Sequence, residues 1–317
     1  MRTRAWWALG SGVAGVAGVV SLAAVADTAT LTTPGGVPAS EPARAEEPPL
    51  YVVERGGRGP TLVFLPGVGG TTRYWDRRVA PLASDHQLLL VDPLGFGHSP
   101  KPSTTYSVER HVAALRRVLA GRGRVTLVGH SFGALLAVAY AARYPETVDG
   151  LVLMGLPYFG SEERALAHFR RGRIPDRWVM TNVALAGAAC IVTRRVVGRA
   201  LPRLLPDLPR EVAEDLVQHT WRSSTSTIWE VVYRYDVATD AARLPATLPV
   251  LVLHGDRDPT APLDGVRRLM RGRPAWELTV RPAGDHHLFL RDPAWVLTRI
   301  RYFVALRRAT IPIVPGE

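Results

Sequence analysis

The stretch Val125-Thr126-Leu127-Val128-Gly129-His130-Ser131-Phe132-Gly133-Ala134-Leu135-Leu136-Ala137-Val138-Ala139-Tyr140-Ala141-Ala142-Arg143-Tyr144 reads in three parts. Val125–Val128 is a short apolar run, half of it valine, the pattern of a strand covered on both faces. Ser131–Tyr144 is rich in alanine and ends before Pro145, as a buried helix would. Between them Gly129-His130-Ser131-Phe132-Gly133 forms a G-x-S-x-G turn in the strand–turn–helix context that lifts a serine hydroxyl out of a sheet edge. The demand for glycine is steric: a side chain at position 129 or 133 would meet the neighbouring strand or helix, and the serine itself must occupy a strained turn. With 12 serines and 29 glycines in 317 residues, chance gives about 0.1 such matches, before the flanking strand and helix are required.

The same alternation extends in both directions. Short apolar runs occur at Tyr51–Val53, Thr61–Leu65, Gln87–Val91, Gly150–Met154, Pro249–Leu253 and Glu277–Val280, each bounded by Gly, Pro or polar residues. Helical segments are expected at Thr72–Ser84, Ser107–Ala120, Leu263–Met270 and Pro293–Arg307, with Val108, Val112, Leu115 and Leu119 on one face of the second. Strands alternating with helices predict an α/β fold with a mostly parallel, doubly wound sheet. The rhythm breaks between Met154 and Pro249, where Asn182–Val192 and Glu211–Val217 look helical and Pro202, Pro206 and Pro209 interrupt. This predicts an inserted helical cap over about residues 157–246, its apolar content lining a substrate cavity.

Composition narrows the classes. Hydrophobic residues make up 47% and charged residues 21%, as in a folded globular chain. The single cysteine, Cys190, excludes an internal disulfide, a cysteine-based zinc site and a redox pair. The net charge of +11 comes almost wholly from arginine, with Lys101 the sole lysine. The arginines are scattered and no nucleic-acid-binding signature accompanies them, so no nucleic-acid partner is expected. Arg2 and Arg4 precede an uncharged apolar run from Ala5 to Ala26 that ends in Ala24-Val25-Ala26. That describes residues 1–26 as a signal peptide. Its length of about 22 residues also suits an uncleaved membrane anchor. Either reading makes the protein exported, extracytoplasmic or membrane-anchored, with membrane association through this segment. Residues 27–49, rich in Thr, Pro, Gly and Glu, read as a flexible linker; 50–310 form the folded domain and 311–317 a tail.

A serine hydroxyl needs a base to become a nucleophile. Of nine histidines, His98 and His130 belong to turn motifs, and His254 ends a strand. His86, His111, His168 and His219 are expected on the surface or in the cap. The loop Pro282-Ala283-Gly284-Asp285-His286-His287 follows the last strand and can reach back over the sheet's carboxyl edge. His286 is the candidate base, with His287 the alternate. A carboxylate must fix the imidazole's tautomer. Asp258 is the candidate and Asp256 the alternate, both in the loop after Pro249–Leu253. The oxyanion formed by serine attack needs preorganised donors. The backbone N–H groups of Val68, in Pro66-Gly67-Val68-Gly69-Gly70, and of Phe132 are the candidates for this oxyanion hole.

With these motifs assembled, residues 50–310 resemble the α/β-hydrolase superfamily, in its serine-nucleophile branch with a helical cap. The resemblance is carried by Pro66-Gly67 with Trp75, Asp92-Pro93-Leu94-Gly95-Phe96-Gly97-His98-Ser99, Gly129–Gly133, Gly255–Asp258 with Pro262, and His286 seven residues before Pro293. It implies a triad of Ser131, Asp258 and His286. Three positions depart from the family pattern: Pro66-Gly67 replaces His-Gly, Asp285 replaces glycine, and Arg291 replaces a common glutamate. A serine at the elbow, where relatives that open epoxides or displace halide use aspartate, implies acyl transfer through an acyl-enzyme. The expected activity is a serine hydrolase acting on carboxylic esters of apolar small molecules or lipids. Alternatives within the superfamily are a C–C bond hydrolase, a perhydrolase, or an aminopeptidase using an acidic cap residue such as Glu211, Glu214 or Glu230. A non-catalytic, membrane-tethered binding protein is the alternative outside enzymes. No metal or organic cofactor is expected, since no dinucleotide or phosphate-binding glycine loop is present.

Overall fold

The computed structural model describes residues 48–172 and 176–310. The leader, most of the linker and the tail expected at 311–317 lie outside the described residues. Seven strands form one sheet: β1 Val52–Arg55, β2 Thr61–Leu65, β3 Gln87–Val91, β4 Val125–His130, β5 Val148–Met154, β6 Val250–Gly255 and β7 Trp276–Arg281. Their order is β1-β3-β2-β4-β5-β6-β7, with β1 antiparallel to β3 and every other pairing parallel. The fold class expected from the alternation is the fold found.

Both faces of the sheet are covered, which explains the lack of polar alternation. In β2, Val63 and Leu65 join one apolar core while Leu62 and Phe64 join the other; in β3, Leu89 and Val91 oppose Leu88 and Leu90 in the same way. The helices Val108–Leu119 and Phe132–Arg143 cover the first face. The helix Pro293–Thr310 covers the second, supplying Val296, Ile300 and Val304 together with Trp75 and Phe289. Ser107 starts Val108–Leu119 by accepting the Arg110 N–H, a side-chain cap.

Two expectations are corrected. Thr72–Ser84 is not one helix: a 3₁₀ turn (Thr72–Tyr74), a short helix (Asp76–Val79) and a second 3₁₀ turn (Ala80–Leu82) follow in succession. Pro81, which has no N–H, cannot continue the preceding turn. His86 and His111 are not on the surface or in the cap; both are buried in the base, His111 against the Thr227 hydroxyl at 3.2 Å.

Between β5 and β6 the described residues form helices and no strand. These include Glu162–Arg170, Val183–Val192, Arg210–Asp215, Trp221–Thr227 and Val237–Arg243. Asn182 caps the second by accepting the N–H groups of Ala184 and Leu185. This helical insertion between β5 and β6 is consistent with a cap. Its helix Val183–Val192 departs from the expected cavity lining: Val183 and Leu185 face outward, 51% and 41% exposed. Among the described residues no helix is long and apolar enough to cross a membrane.

The elbow glycines give a direct test of this packing. A Cβ at Gly129 would stand 2.4 Å from the Gly133 carbonyl oxygen and 2.6 Å from the Ala134 Cα, all backbone. Gly129→Ala should therefore cost about 2–4 kcal/mol in urea unfolding. Gly57→Ala, where nothing lies within 4 Å, should change stability by less than about 0.5 kcal/mol.

Candidate active site

Parallel strands deliver their following loops to one edge, and five of those loops converge here. Ser131 follows β4 and caps Phe132–Arg143 with φ 53° and ψ −118°, a left-handed conformation that a non-glycine residue adopts at a cost. Its N–H donates to the Met154 carbonyl at 2.8 Å, and its own carbonyl accepts the Ala134 N–H at 2.9 Å. Gly133 is as constrained as Gly129, since a Cβ there would stand 2.1 Å from the Leu65 oxygen.

The loop after β7 brings His286 beside this turn. Its ring lies against Gly155, the residue after Met154: a Cβ there would be 3.0 Å from Nδ1 and 3.1 Å from Cε1. The Nδ1–H of His286 donates to Oδ2 of Asp258 at 2.7 Å, with the Asp258 side chain fully buried. This hydrogen bond leaves Nε2 as the nitrogen free to take a proton. Asp258 Oδ1 accepts the N–H groups of Thr260 and Ala261, each at 2.8 Å. Burial alone would push the Asp258 carboxyl up; the adjacent His286 imidazole and these N–H donors outweigh it and hold the group at about 2. Asp256 is exposed, outside this contact. The His287 imidazole turns toward Tyr74 and His130, with ring centroids at 6.3 and 5.4 Å, and burial lowers it to about 4. The structure thus brings Asp258 to His286 and leaves both alternates, Asp256 and His287, out of the pair.

The loop Pro66–Gly70 closes the other side. Gly67 accepts the Gly70 N–H at 3.0 Å, Gly69 takes φ 77°, and a Cβ at Gly67 would sit 3.3 Å from the Ser131 Cβ. Among the described residues, no turn or loop backbone hydrogen bond uses the N–H of Val68 or of Phe132. The Phe132 N–H is also one of the first-turn donors of its helix, where the dipole favours negative charge.

Several supporting residues had no assigned part in the sequence reading. His130, placed there only in a turn motif, donates Nε2–H to the His286 carbonyl at 2.8 Å and stacks on Tyr74 at 5.2 Å and 13°. Burial keeps His130 neutral, well below its ordinary value. Asp92, fully buried, accepts the Thr72 N–H at 2.6 Å and the His98 N–H at 2.7 Å, tying two edge loops together. A long-range network docks the cap helix Arg210–Asp215: Asp215 accepts from Thr71 and Arg73, Glu214 from Arg73, and Glu211 from Arg78. Only the sequence distance of over 130 residues hid these pairs. Glu230 likewise meets Arg234 at 2.8 Å. The three acidic residues considered for binding a substrate amino group are all neutralised by arginine. Among the described residues no cluster of three or more His, Cys, Asp or Glu is arranged to hold a metal ion.

Comparison with known proteins bears on the fold. A family profile for the alpha/beta hydrolase fold matches residues 60–181. An uncharacterised protein of Mycobacterium tuberculosis is 27% identical over 265 residues, covering 78% of this chain and 76% of its own length. The Arabidopsis thaliana protein named probable lysophospholipase BODYGUARD 1 is 26% identical over 255 residues, 71% of this chain. The chain spans only about half of that plant relative, 54% of its length. The solved bromoperoxidase from Bacillus anthracis superposes with a TM-score of 0.66 at 20% identity, over 81% of this chain and 95% of that one, a likeness of fold.

The Asp258 carboxyl makes a pH prediction. Its folded value lies below the unfolded one of about 3.9. Its stabilisation is therefore full above that pH and is lost as pH falls toward about 2. Asp258→Asn should flatten the fall in urea midpoint between about pH 4 and pH 2. Asp256→Asn, at an exposed position, should leave the parent slope. Equal slopes for parent and Asp258→Asn would contradict the assignment.

Proposed function

We propose that the chain, whose residues 60–181 match the alpha/beta hydrolase fold profile, is a serine hydrolase of that superfamily. It works through an acyl-enzyme on carboxylic esters of apolar small molecules or lipids. One observation carries the reading: a serine at φ 53° on a strand–helix turn, bonded to Met154, beside an imidazole held by a buried carboxylate at 2.7 Å.

The roles follow from that arrangement. Nε2 of His286 takes the proton from Ser131 Oγ as Oγ attacks the carbonyl carbon. The N–H groups of Val68 and Phe132 receive the oxyanion. His286 then protonates the departing alkoxide, and the acyl group stays on Ser131. A water that gives its proton to His286 attacks the acyl carbon, and the serine leaves with that proton. Asp258 remains ionised throughout and keeps the imidazole in the Nδ1–H tautomer. An aminopeptidase reading loses support because Glu211, Glu214 and Glu230 are each paired with arginine. The apolar run from Ala5 to Ala26 supports an extracytoplasmic site of action. Intact mass of the exported chain distinguishes a cut leader from a retained anchor.

A fluorophosphonate should label Ser131, and Ser131→Ala should lose both labelling and at least about 10³-fold in kcat on a p-nitrophenyl ester. Full activity in that variant would overturn the proposal. A p-nitrophenyl series from acetate to palmitate, run beside a diketone, a peptide and a peroxide assay, fixes the substrate class. Labelling of Ser131 without turnover of any of them would favour a binding protein. Asp258→Asn should cost far more activity than Asp256→Asn, by a factor of about 10³ or more. The reverse ranking would move the acid to Asp256.

A further inference from the structure

The cap carries a surface that catalysis does not use. Its helix Val183–Val192 has no charged side chain, yet only Ala186 and Gly187 are buried. Along the run that continues from it, Val196 is 66% exposed and Leu204 52%; Trp178, on the adjacent short helix, is 54% exposed. The helix Val183–Val192 packs against both Asp176–Val179 and Trp221–Thr227, and a Cβ at Gly187 would stand 3.4 Å from the Trp221 ring, so the three segments are neighbours in the cap. From 177 to 206 the sequence holds five arginines and no aspartate or glutamate. Among the described residues Arg195, Arg199 and Arg203 enter no ion pair or hydrogen bond, while Arg73, Arg78 and Arg143 on the base are each met by a carboxylate. Arg194, Arg199 and Arg203 line a cleft of about 820 Å³ together with Leu208, Val217 and one carboxylate, Glu214.

We infer that this face of the cap docks on an anionic lipid bilayer. Arg194-Arg195-Val196 and Arg203-Leu204 interleave guanidinium groups with exposed apolar side chains within one helical run, Thr193–Leu204. A bilayer offers the matching layers in order, phosphate above hydrocarbon, so the apolar tips enter the acyl boundary while the arginines take phosphate oxygens. Trp178 and Trp221, each with a neighbouring guanidinium 5.4 Å from its ring centroid, are suited to the headgroup level. Burying this surface against a second copy would instead set two faces rich in arginine against each other, with Glu214 the one acidic residue lining the cleft, an arrangement opposed by like charge.

The test uses the full chain with Cys190→Ser and one new cysteine, at Val196→Cys or at Tyr302→Cys, labelled with nitrobenzoxadiazole. Tyr302 is 61% exposed on the helix Pro293–Thr310 and serves as the comparison. Vesicles of phosphatidylcholine and phosphatidylglycerol in equal parts should give a several-fold brighter, blue-shifted signal at position 196 and little change at 302. Combined R195E, R199E and R203E should raise the lipid concentration at half-signal at least about tenfold. No change at 196, an equal change at both sites, or an equal response to pure phosphatidylcholine would overturn the inference. So would a change without lipid that grows with protein concentration, which would identify a second copy as the occupant. Neither label reads turnover, so this result is separable from failure of the hydrolase reading.

Discussion

The site depends on holding Ser131 in a left-handed backbone conformation. Alanine or serine at φ near +55° is disfavoured on its own, so the turn persists only because its surroundings over-determine it. Gly129 and Gly133 do this by letting backbone meet backbone: Gly133 lies on the Leu65 and Pro66 carbonyls, and Gly129 lies on the first turn of the following helix. The Met154 carbonyl then locks the Ser131 N–H. Among the described residues only one other non-glycine residue has positive φ, Ala283 at 56°, and it sits in the loop that delivers His286. Backbone strain is thus concentrated in the two loops that must meet.

Those loops meet because the sheet is parallel there. β4, β5, β6 and β7 pair in register such that His130 lies beside Met154, Met154 beside Leu253, and Gly255 beside Arg281. The serine turn, Gly155, the aspartate loop and the histidine loop therefore leave neighbouring strands at the same height. Gly255 permits the last two to touch, since a Cβ there would stand 2.2 Å from the Gly284 oxygen, and Arg257 N–H donates to that oxygen at 2.9 Å. The Asp258–His286 contact across 28 residues is a consequence of this register.

This explains what could be read from the chain and what could not. Strands such as Thr61–Leu65 and Gln87–Val91 were legible to the residue because apolar runs bounded by Gly, Pro and polar residues have few alternatives in a two-sided sheet. The elbow was legible because its constraint is local, two glycines within five residues. The choice between His286 and His287 was not local: both share a loop, and only the tertiary position of Asp258 separates them. His111 shows the opposite failure. It stands on the helix Val108–Leu119, and the distant Phe132 ring and the later segment carrying Thr227 pack against it, with burial lowering its imidazole to about 3. The docking of Glu211, Glu214 and Asp215 on Arg73 and Arg78 was invisible for the same reason, since charge pairs between distant segments leave no periodicity.

The two unusual residues flanking the histidine loop are coupled to each other. Asp285 accepts the His287 N–H through Oδ1 at 2.9 Å and pairs through Oδ2 with Arg291 Nε at 3.0 Å. In sequence they are two separate departures from the family pattern, at glycine and glutamate positions; in space they form one ion pair that closes the turn carrying both histidines. His130 supports the same turn by donating to the His286 carbonyl, and Tyr74 stacks on the His130 ring. The imidazole of His286 is therefore fixed at its ring by Asp258 and at its backbone by His130, with Asp285 and Arg291 bracing the next residue. An imidazole fixed at both ring and main chain has little rotational freedom to lose, which is the form of preorganisation that the proposed proton transfer from Ser131 would require.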